Sequence, residues 1–431
     1  MLIKKIKVSN FKSFEKLDIE LGRFNVLIGS NASGKSNFLT ILKFLKDMVE
    51  SGLDNAISMQ GGVDYIRNIN IGDSKNLSVE LHIDSRGVPF KFALNTEKDA
   101  IIVGAIATEF IYQFGIEFPA PKESVPYRVV EEQLIVNCGF VELEKKGEGV
   151  EEKRKIGEGD ITLIRDRGTV RASLNSEDMP PEVRAATLPV HFPKFSEEVL
   201  SHKELFIEST IFFQPPSFRM SRFFRDIFIY DFDPKLPKEA TQTTGKTELE
   251  HNGRNLAIIL KNILDDKKKS ESMFALMKDL LPFIEGLTVE RLVDKSLLFG
   301  SKEVYSGTKF LPAYLMSDGT INITALIIAL YFEENPVIAI EEPERNIHPH
   351  LISKIVDMMK DVSERFEKQI IVTTHNPEMV KYAGIENILL VHRDDNGFSQ
   401  ISRPSEKEEV RIFIENEMGI EELYVQNLLE W

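Results

Sequence analysis

The chain opens on alternation: Leu2, Ile3, Ile6 and Val8 among lysines, then Leu17, Ile19 and Leu21 after N-F-K-S-F, which predicts an opening pair of strands. Phe24–Ile28 is apolar throughout, as a buried strand is, and Phe38, Leu39, Ile41, Leu42 and Leu45 follow at helical spacing. Gly29–Ser36 therefore sits at a strand-to-helix turn, which we expect at the edge of a sheet. Between Gly52 and Asp73 the chain is rich in Gly and Asn, and irregular structure is expected there. Leu77, Val79, Leu81 and Ile83 alternate, S-R-G interrupts, and Phe90, Phe92 and Leu94 alternate again, the pattern of a hairpin. Leu134–Val136, Phe140–Leu143, Ile161–Ile164 and Thr169–Leu174 predict further short strands separated by turns, with E-K-K-G-E-G-V-E-E-K-R-K as a solvated hairpin tip.

From Pro180 to Pro237 the composition shifts toward Pro and Phe. Ser196–Leu205 reads as a helix, and F-R-M-S-R-F-F-R places Arg219, Arg222 and Arg225 on one helical face beside Phe218, Phe223 and Phe224. Arginines among aromatics suit nucleic acid, but an amphipathic helix that buries its phenylalanines and solvates its arginines needs no ligand. Asn255–Leu281 is helical in period and ends at Pro282. The last third returns to an α/β pattern. A helix follows Ser317, strands lie at Val337–Ile340 and Gln369–Thr373 with a helix near Leu351–Lys360 between them, and Ile388–Val391 with Gln400–Ser402 forms a hairpin. A short acidic amphipathic helix is expected in the last twenty residues.

Composition narrows the class. A length of 431 residues allows one large domain or two to three smaller ones, and a hydrophobic content of 42% with 28% charged residues is that of a soluble globular chain. The net charge of -15 argues against phosphate-backbone binding over the whole surface, though a local basic groove is compatible with it. Cys138 is the only cysteine, so there is no intrachain disulfide or cysteine zinc site, and a reducing, cytoplasmic location is expected. No targeting segment is visible, and the longest apolar run, Ile323–Phe332, is about half the length needed to cross a bilayer, so no membrane partner is expected.

Gly29–Ser36 reads G-S-N-A-S-G-K-S, a complete G-x-x-x-x-G-K-[ST] between strand and helix. Gly29 and Gly34 permit positive backbone dihedrals, so that amides from Ser30, Asn31, Ala32 and Ser33 onward can face a phosphate chain, and the helix opening at Asn37 adds its positive end. Lys35 can reach the outer phosphates, and Ser36 can hold magnesium. The apolar strand Val337–Ile340 delivers Glu341 and Glu342 to such a site, the first assigned to magnesium and the second to the attacking water. A second apolar strand ends in T-H-N-P, putting His375 where it can contact a terminal phosphate or that water. Ser317-Asp318-Gly319-Thr320 before an apolar helix is a second anion site, intelligible if it serves a nucleotide bound to another copy of the chain.

The phosphate loop, S-D-G-T, I-E-E-P-E-R-N-I-H-P and T-T-H-N-P, in this order and after I-K-V-S-N-F-K-S-F, resemble the ATP-binding-cassette (ABC) ATPases of the RecF/SMC kind. The E-E-P-E-x-x-x-H-P form, S-D-G-T and N-G-R-N-L-A-I-I-L at 252–260 are similar to the ATPase part of the OLD (overcoming lysogenization defect) family and its "predicted ATPase" relatives. The resemblance implies an α/β P-loop NTPase of ABC type, with a mixed sheet flanked by helices, an antiparallel β-subdomain and a central α+β insertion. Residues 1–100 and 306–431 would form the head, with 101–305 inserted. It implies ATP and magnesium as cofactors, Gly29, Gly34, Lys35 and Ser36 on the nucleotide, Glu341 in place of the usual aspartate, Glu342 as base and His375 as switch. Ser317 and Gly319 would close over the γ-phosphate across a head-to-head homodimer, or within a higher oligomer, and Asn346 and His348 would lie in the loop that touches the opposite subunit. Gln60, Gln113 and Gln133 are the candidates for a magnesium-sensing glutamine.

The OLD pattern adds a toprim nuclease domain, whereas 56 residues follow His375 and Asp394-Asp395 lack an acidic cluster, so a built-in nuclease is not expected. That favours an ATPase that controls a separately encoded effector, a nuclease or toxin, in antiphage defence. The alternatives are a DNA-repair or chromosome-maintenance clamp, which needs a basic groove, and an ATP-stabilised scaffold with little turnover.

Overall fold

The alternating runs that open the chain form its first two strands in a computed structural model, which describes residues 1–95, 100–119, 125–146, 149–166, 169–176, 200–208, 215–243, 245–415, 418–426 and 428–429. In chain order the strands are β1 (Leu2–Phe11), β2 (Phe14–Glu20), β3 (Phe24–Ile28), β4 (Leu77–Asn95), β5 (Ala100–Glu117), β6 (Arg128–Lys146), β7 (Gly149–Asp166) and β8 (Thr169–Asn175). There follow β9 (Ile227–Tyr230), β10 (Ile284–Arg291), β11 (Leu297–Glu303), β12 (Leu311–Pro312), β13 (Val337–Glu341), β14 (Gln369–Thr373), β15 (Ile388–Arg393) and β16 (Ser399–Ser402). They fall into two compact units, Met1–Leu21 with Thr40–Asp226 and Arg393–Gln400, and Gly22–Leu39 with Ile227–His392 and Ile401–Trp431. This divides the chain otherwise than at residues 100 and 305: β5–β8 continue the sheet that β1, β2 and β4 begin, and the chain from Ile227 joins the second unit.

The first unit is an antiparallel sheet in the order β2-β1-β4-β5-β6-β7-β8. Its alternation buries one face, with Leu77, Val79, Leu81 and Ile83 on β4 and Phe110, Tyr112, Phe114 and Ile116 on β5. Phe44, from the helix Lys35–Ser51, lies between Phe11 and Phe114, with ring centroids 5.8 and 6.5 Å away. The S-R-G interruption is not a hairpin turn. Arg86 and Gly87 take φ of 55° and 75°, and β4 runs through them with a register shift between Asp84 and Val88, so the extra residues bulge out and the strand keeps its direction. Likewise the short strands expected over 131–173 are parts of longer ones, because Gly139 and Gly159 lie inside strands and not at turns. A Cβ at Gly159 would lie 2.1 Å from the Asn175 carbonyl oxygen, which explains a glycine there. The basic-acidic run lies at the ends of two paired strands, with Lys146 opposite Gly149, and its tip, residues 147 and 148, lies outside the described residues.

Gly52–Asp73 is not wholly irregular: Gly52, Gly61 and Gly62, all at positive φ, delimit helices Leu53–Met59 and Val63–Ile66. Of the helix expected at Ser196–Leu205, residues 196–199 lie outside the described residues and 200–205 are turns, held by Arg165, which donates to the Ser201 and Glu204 carbonyls. The helix Pro215–Arg225 buries Met220, Phe223 and Phe224, while its arginines and Phe218 are exposed.

In the second unit the sheet order is β16-β15-β3-β14-β13-β9, and β15, β3, β14, β13 and β9 are mutually parallel. The phosphate-loop strand is thus interior and not at an edge. All five of its residues are buried, which an apolar run foretells, but its neighbours come from more distant sequence. Strand residues Val26, Ile338 and Ile370 share one core with Ile259, Leu326, Ile355 and Val380 of the helices. The helical block at 255–281 is two helices, Leu256–Asp265 and Lys267–Leu280, because Asp266 accepts from the amides of Lys268 and Lys269 and starts a new one. A small sheet, β10-β11-β12, precedes the helix Asp318–Ile327. The short helix expected in the last twenty residues is Ile420–Val425, and Glu408–Glu415 precedes it. Among the described residues no helix is long and apolar enough to cross a membrane.

Candidate nucleotide site

In a parallel sheet the strand ends that carry chemistry all emerge on one side. β3, β14 and β13 are in register there, Leu27 opposite Thr373 and Thr373 opposite Glu341, so Gly29–Ser36, Glu341-Glu342 and Thr374-His375 leave the sheet together. The loop uses φ of 151° at Gly29, 62° at Ala32 and 121° at Gly34. A Cβ at Gly29 would lie 2.1 Å from the Val391 carbonyl oxygen, so only glycine fits. Ser30, Asn31 and Ala32 are exposed at the tip, Ser33 is buried beneath it, and the helix starts at Lys35 with Phe38 N–H donating to the Gly34 carbonyl at 3.0 Å. Asn37, in its first turn, is half-buried. Lys35 Nζ donates to the carbonyls of Gly29 (2.8 Å) and Ser30 (3.0 Å). Burial pushes its pKa down, and the carboxylates of Glu342 and Glu341 pull it back up.

Ser36 Oγ donates to Glu341 Oε2 at 3.1 Å, across 305 positions of sequence. Burial holds the Glu341 carboxyl above its ordinary range, the Ser36 hydroxyl counters this, and Asp231 adds repulsion. A hydroxyl and a carboxylate oxygen, with further negative charge behind them, fit magnesium, which takes oxygen ligands and keeps several waters. Glu342 has a φ of 43°, a strained value for a side chain of its size, held by its N–H on the Thr373 carbonyl at 2.9 Å. Its Oε1 lies 2.8 Å from His375 Nδ1, and its Oε2 accepts from Arg345 Nη2 (3.1 Å) and Nε (3.3 Å). Glu344, buried, accepts from the Thr374 hydroxyl, and burial raises its pKa.

Ser317 begins its helix as a cap. Its Oγ accepts from Thr320 N at 3.1 Å and pairs with Thr320 Oγ1 at 2.8 Å, while Asp318 pairs with Lys238 at 2.5 Å. A Cβ at Gly319 would lie 2.6 Å from the Asn346 carbonyl oxygen, and Asn346 itself has a φ of 63°. Within one copy, then, Ser317 and Gly319 pack their helix start against the loop that follows the glutamates. His348 and His350 face one another, Nδ1 to Nδ1 at 2.7 Å, and no group of three metal-ligating side chains exists among the described residues. Gln113 donates to Gln133 at 3.0 Å, and Gln60, which follows the helix Leu53–Met59, bonds to Asp47; all three belong to the first unit.

Sequence reasoning missed three participants. Arg345, which also donates to Asp231 at 3.0 Å, stood in plain view as the R of E-E-P-E-R, but its partner Asp231 lies 114 positions away. Tyr424, whose hydroxyl donates to the Gly29 carbonyl at 3.4 Å, carries no motif at all.

An AAA ATPase domain family matches residues 1–165. The DNA replication and repair protein RecF of Agathobacter rectalis is 31% identical over 99 residues, 20% of this chain and 25% of that protein. Endonuclease GajA of Bacillus cereus is 47% identical over 47 residues, 11% of this chain and 8% of that one. The chain therefore matches a quarter or less of the length of these curated relatives. A solved structure of an SMC head bound to the C-winged helix domain of ScpA is similar at 15% identity, with 93% of this chain and 98% of that one covered and a TM-score of 0.46. The family described as "AAA domain, putative AbiEii toxin, Type IV TA system" matches residues 141–381, more than half of the chain, and the chain belongs to it.

Proposed function

We propose that the chain binds ATP with magnesium at Gly29–Asn37 and hydrolyses it, and that the hydrolysis governs its association with a second copy. The observation that carries this is the convergence of the Ser36–Glu341 contact at 3.1 Å and the Glu342–His375 contact at 2.8 Å at the ends of adjacent parallel strands. Ser36 and Glu341 would hold magnesium, which would supply charge neutralisation to the phosphates. Lys35 turns from the loop carbonyls to those phosphates. Glu342 takes a proton from the water whose oxygen attacks the γ-phosphorus, the bond to the β-phosphate oxygen breaks, and ADP and phosphate result. His375 is held by Glu342 through Nδ1, which directs Nε2 toward the water or the γ-phosphate. Ser317 and Gly319 of a second copy close over the nucleotide, so the working unit is a homodimer or larger. Its purpose in this reading is to control a separately encoded effector, a nuclease or toxin, in antiphage defence, which the toxin description of the family and the endonuclease relative favour.

A DNA-repair clamp is the second reading, and the RecF relative is what favours it. The acidic balance of -15 weighs against it. The test is phosphate release by the purified chain, with nucleotide affinity and oligomer mass measured alongside. Lys35→Ala should abolish ATP binding, and Glu342→Gln should bind ATP and accumulate as a dimer. A wild-type chain that neither binds nor turns over ATP overturns the proposal. DNA-stimulated, salt-sensitive turnover selects the clamp, and a copurifying effector without a DNA response selects the defence reading.

A further inference from the structure

We infer that Arg345 is the positioning residue for the Glu342 base, with Asp231 as its anchor; the inference rests on the hydrolytic reading above. A carboxylate offers about four acceptor positions, two on each oxygen. Arg345 Nε and Nη2 take both positions on Oε2, at 3.3 and 3.1 Å, and His375 Nδ1 takes one on Oε1, at 2.8 Å. The position left over is on Oε1, so Arg345 and His375 decide both the plane of the carboxylate and the direction from which a water can hand it a proton. Lysine could not do this, because a single ammonium lacks the planar fork that serves two acceptors at once.

The guanidinium is itself anchored. Nη1 donates to Asp231 Oδ1 at 3.0 Å, and Asp231 directly follows β9, whose Tyr230 pairs with Ile340 of β13, so anchor and base leave neighbouring strands at the same level. On the other side the Arg345 carbonyl accepts from Asn322 Nδ2 at 2.7 Å, and Asn322 lies on the helix that Ser317 caps. Gly319 of that helix packs without room for a Cβ against Asn346, the next residue of the loop. A nucleotide of a second copy that engages Ser317 and Gly319 therefore bears on the segment that aims Glu342. Asp231, Arg345 and Glu342 side chains are 53%, 41% and 28% exposed, and ion pairs so exposed add little to stability, which leaves orientation as the effect of this one.

The test uses the full chain. Arg345→Ala should lower kcat for ATP about ten- to hundredfold, as misplacement of a reacting group does, with ATP affinity and melting temperature near wild type. Arg345→Lys should recover only part of the loss. Asp231→Asn, measured at saturating magnesium so that its charge beside Glu341 does not enter, should cost less, and its effect should vanish in the Arg345→Ala background. Wild-type kcat in Arg345→Ala, additive losses in the double variant, or a loss matched by weaker ATP binding overturns the inference. Absence of turnover in the wild-type chain sinks the hydrolytic reading instead, and the imidazole ¹⁵N signals of His375 then decide this one. They should move in Arg345→Ala as the shared carboxylate reorients, and unmoved signals overturn the inference.

Discussion

Each unit of the molecule holds a glutamate beside an arginine, and the two pairs are built to opposite ends. In the first unit Glu132 is fully buried and Arg165 nearly so, 3.7 Å apart. Glu132 accepts from the Tyr112 hydroxyl (2.8 Å) and from the amides of Phe206 (2.7 Å) and Ile207 (3.3 Å), while Arg165 donates to the Ser201 carbonyl at 2.7 Å. The pair stitches residues 200–208 to the sheet and faces no solvent. In the second unit Glu342 and Arg345 stand at the mouth of the phosphate loop, partly exposed, with an acceptor position to spare. The same two side chains make a rivet where the carboxylate is enclosed by its partners, and, in the reading proposed above, a chemical site where one acceptor position is left open.

That contrast can be broken at either end. The largest effect is expected from Glu342→Gln, which keeps the shape and removes the base: turnover should fall about 10²- to 10⁴-fold with an unchanged melting curve. Turnover near the wild-type rate would remove Glu342 from the chemistry. Above about pH 8, where Glu132 is ionised, Arg165→Ala should do the reverse, costing about 3–5 kcal/mol in chemical denaturation by leaving a buried carboxylate without its cation, while turnover per folded molecule holds. A loss near zero would mean that the hydroxyl and amides suffice for Glu132.

The sealed pair should also show in pH. Burial pushes Glu132 up to about 8 against the lowering by the Phe206 amide, Tyr112 and Arg165, and pushes Glu208 up to about 7. Both folded values lie above the ordinary 4.5, so their contribution to stability is full below about 4.5 and is lost as pH rises through about 7 and then about 8. Denaturation midpoints should therefore fall across that window, and Glu132→Gln should flatten the fall. Midpoints that rise instead would mean that Arg165 and the amides hold the carboxylate ionised. The smallest effect is at Ser317→Ala, which removes a helix cap worth about 1 kcal/mol. A far greater loss in turnover than in stability would sharpen the reading of Ser317 as a contact to a second copy's nucleotide.

How much of this was legible in the sequence follows the same division. The chemistry of the open site demands particular residues at strand ends, so Lys35, Ser36, Glu341, Glu342 and His375 could be read in advance, and the structure brings them together. The sealed site demands only satisfied polar atoms, which many residue combinations supply, and nothing marked Glu132 or Arg165. The long strands of the first unit were read as fragments because Gly139, Gly159 and Gly87 look like turns, though two sit inside strands and one in a bulge. The interior place of β3 depends on partners that pairing, not local pattern, selects.

Tyr424 reaches back 395 positions to the carbonyl of Gly29, and both sheet neighbours of β3 also come from the last part of the sequence. At about 5–20 residues per second of synthesis, roughly 20–80 s pass between the making of the phosphate loop and the making of the residue that braces it. Through that interval Phe-Asn-Val-Leu-Ile has neither edge paired, an unpaired apolar strand of the kind that aggregates or engages a chaperone. The yield of folded protein should depend on the rate at which the ribosome delivers β14 and β15, a cost of placing the most demanding loop of the fold so early in the chain.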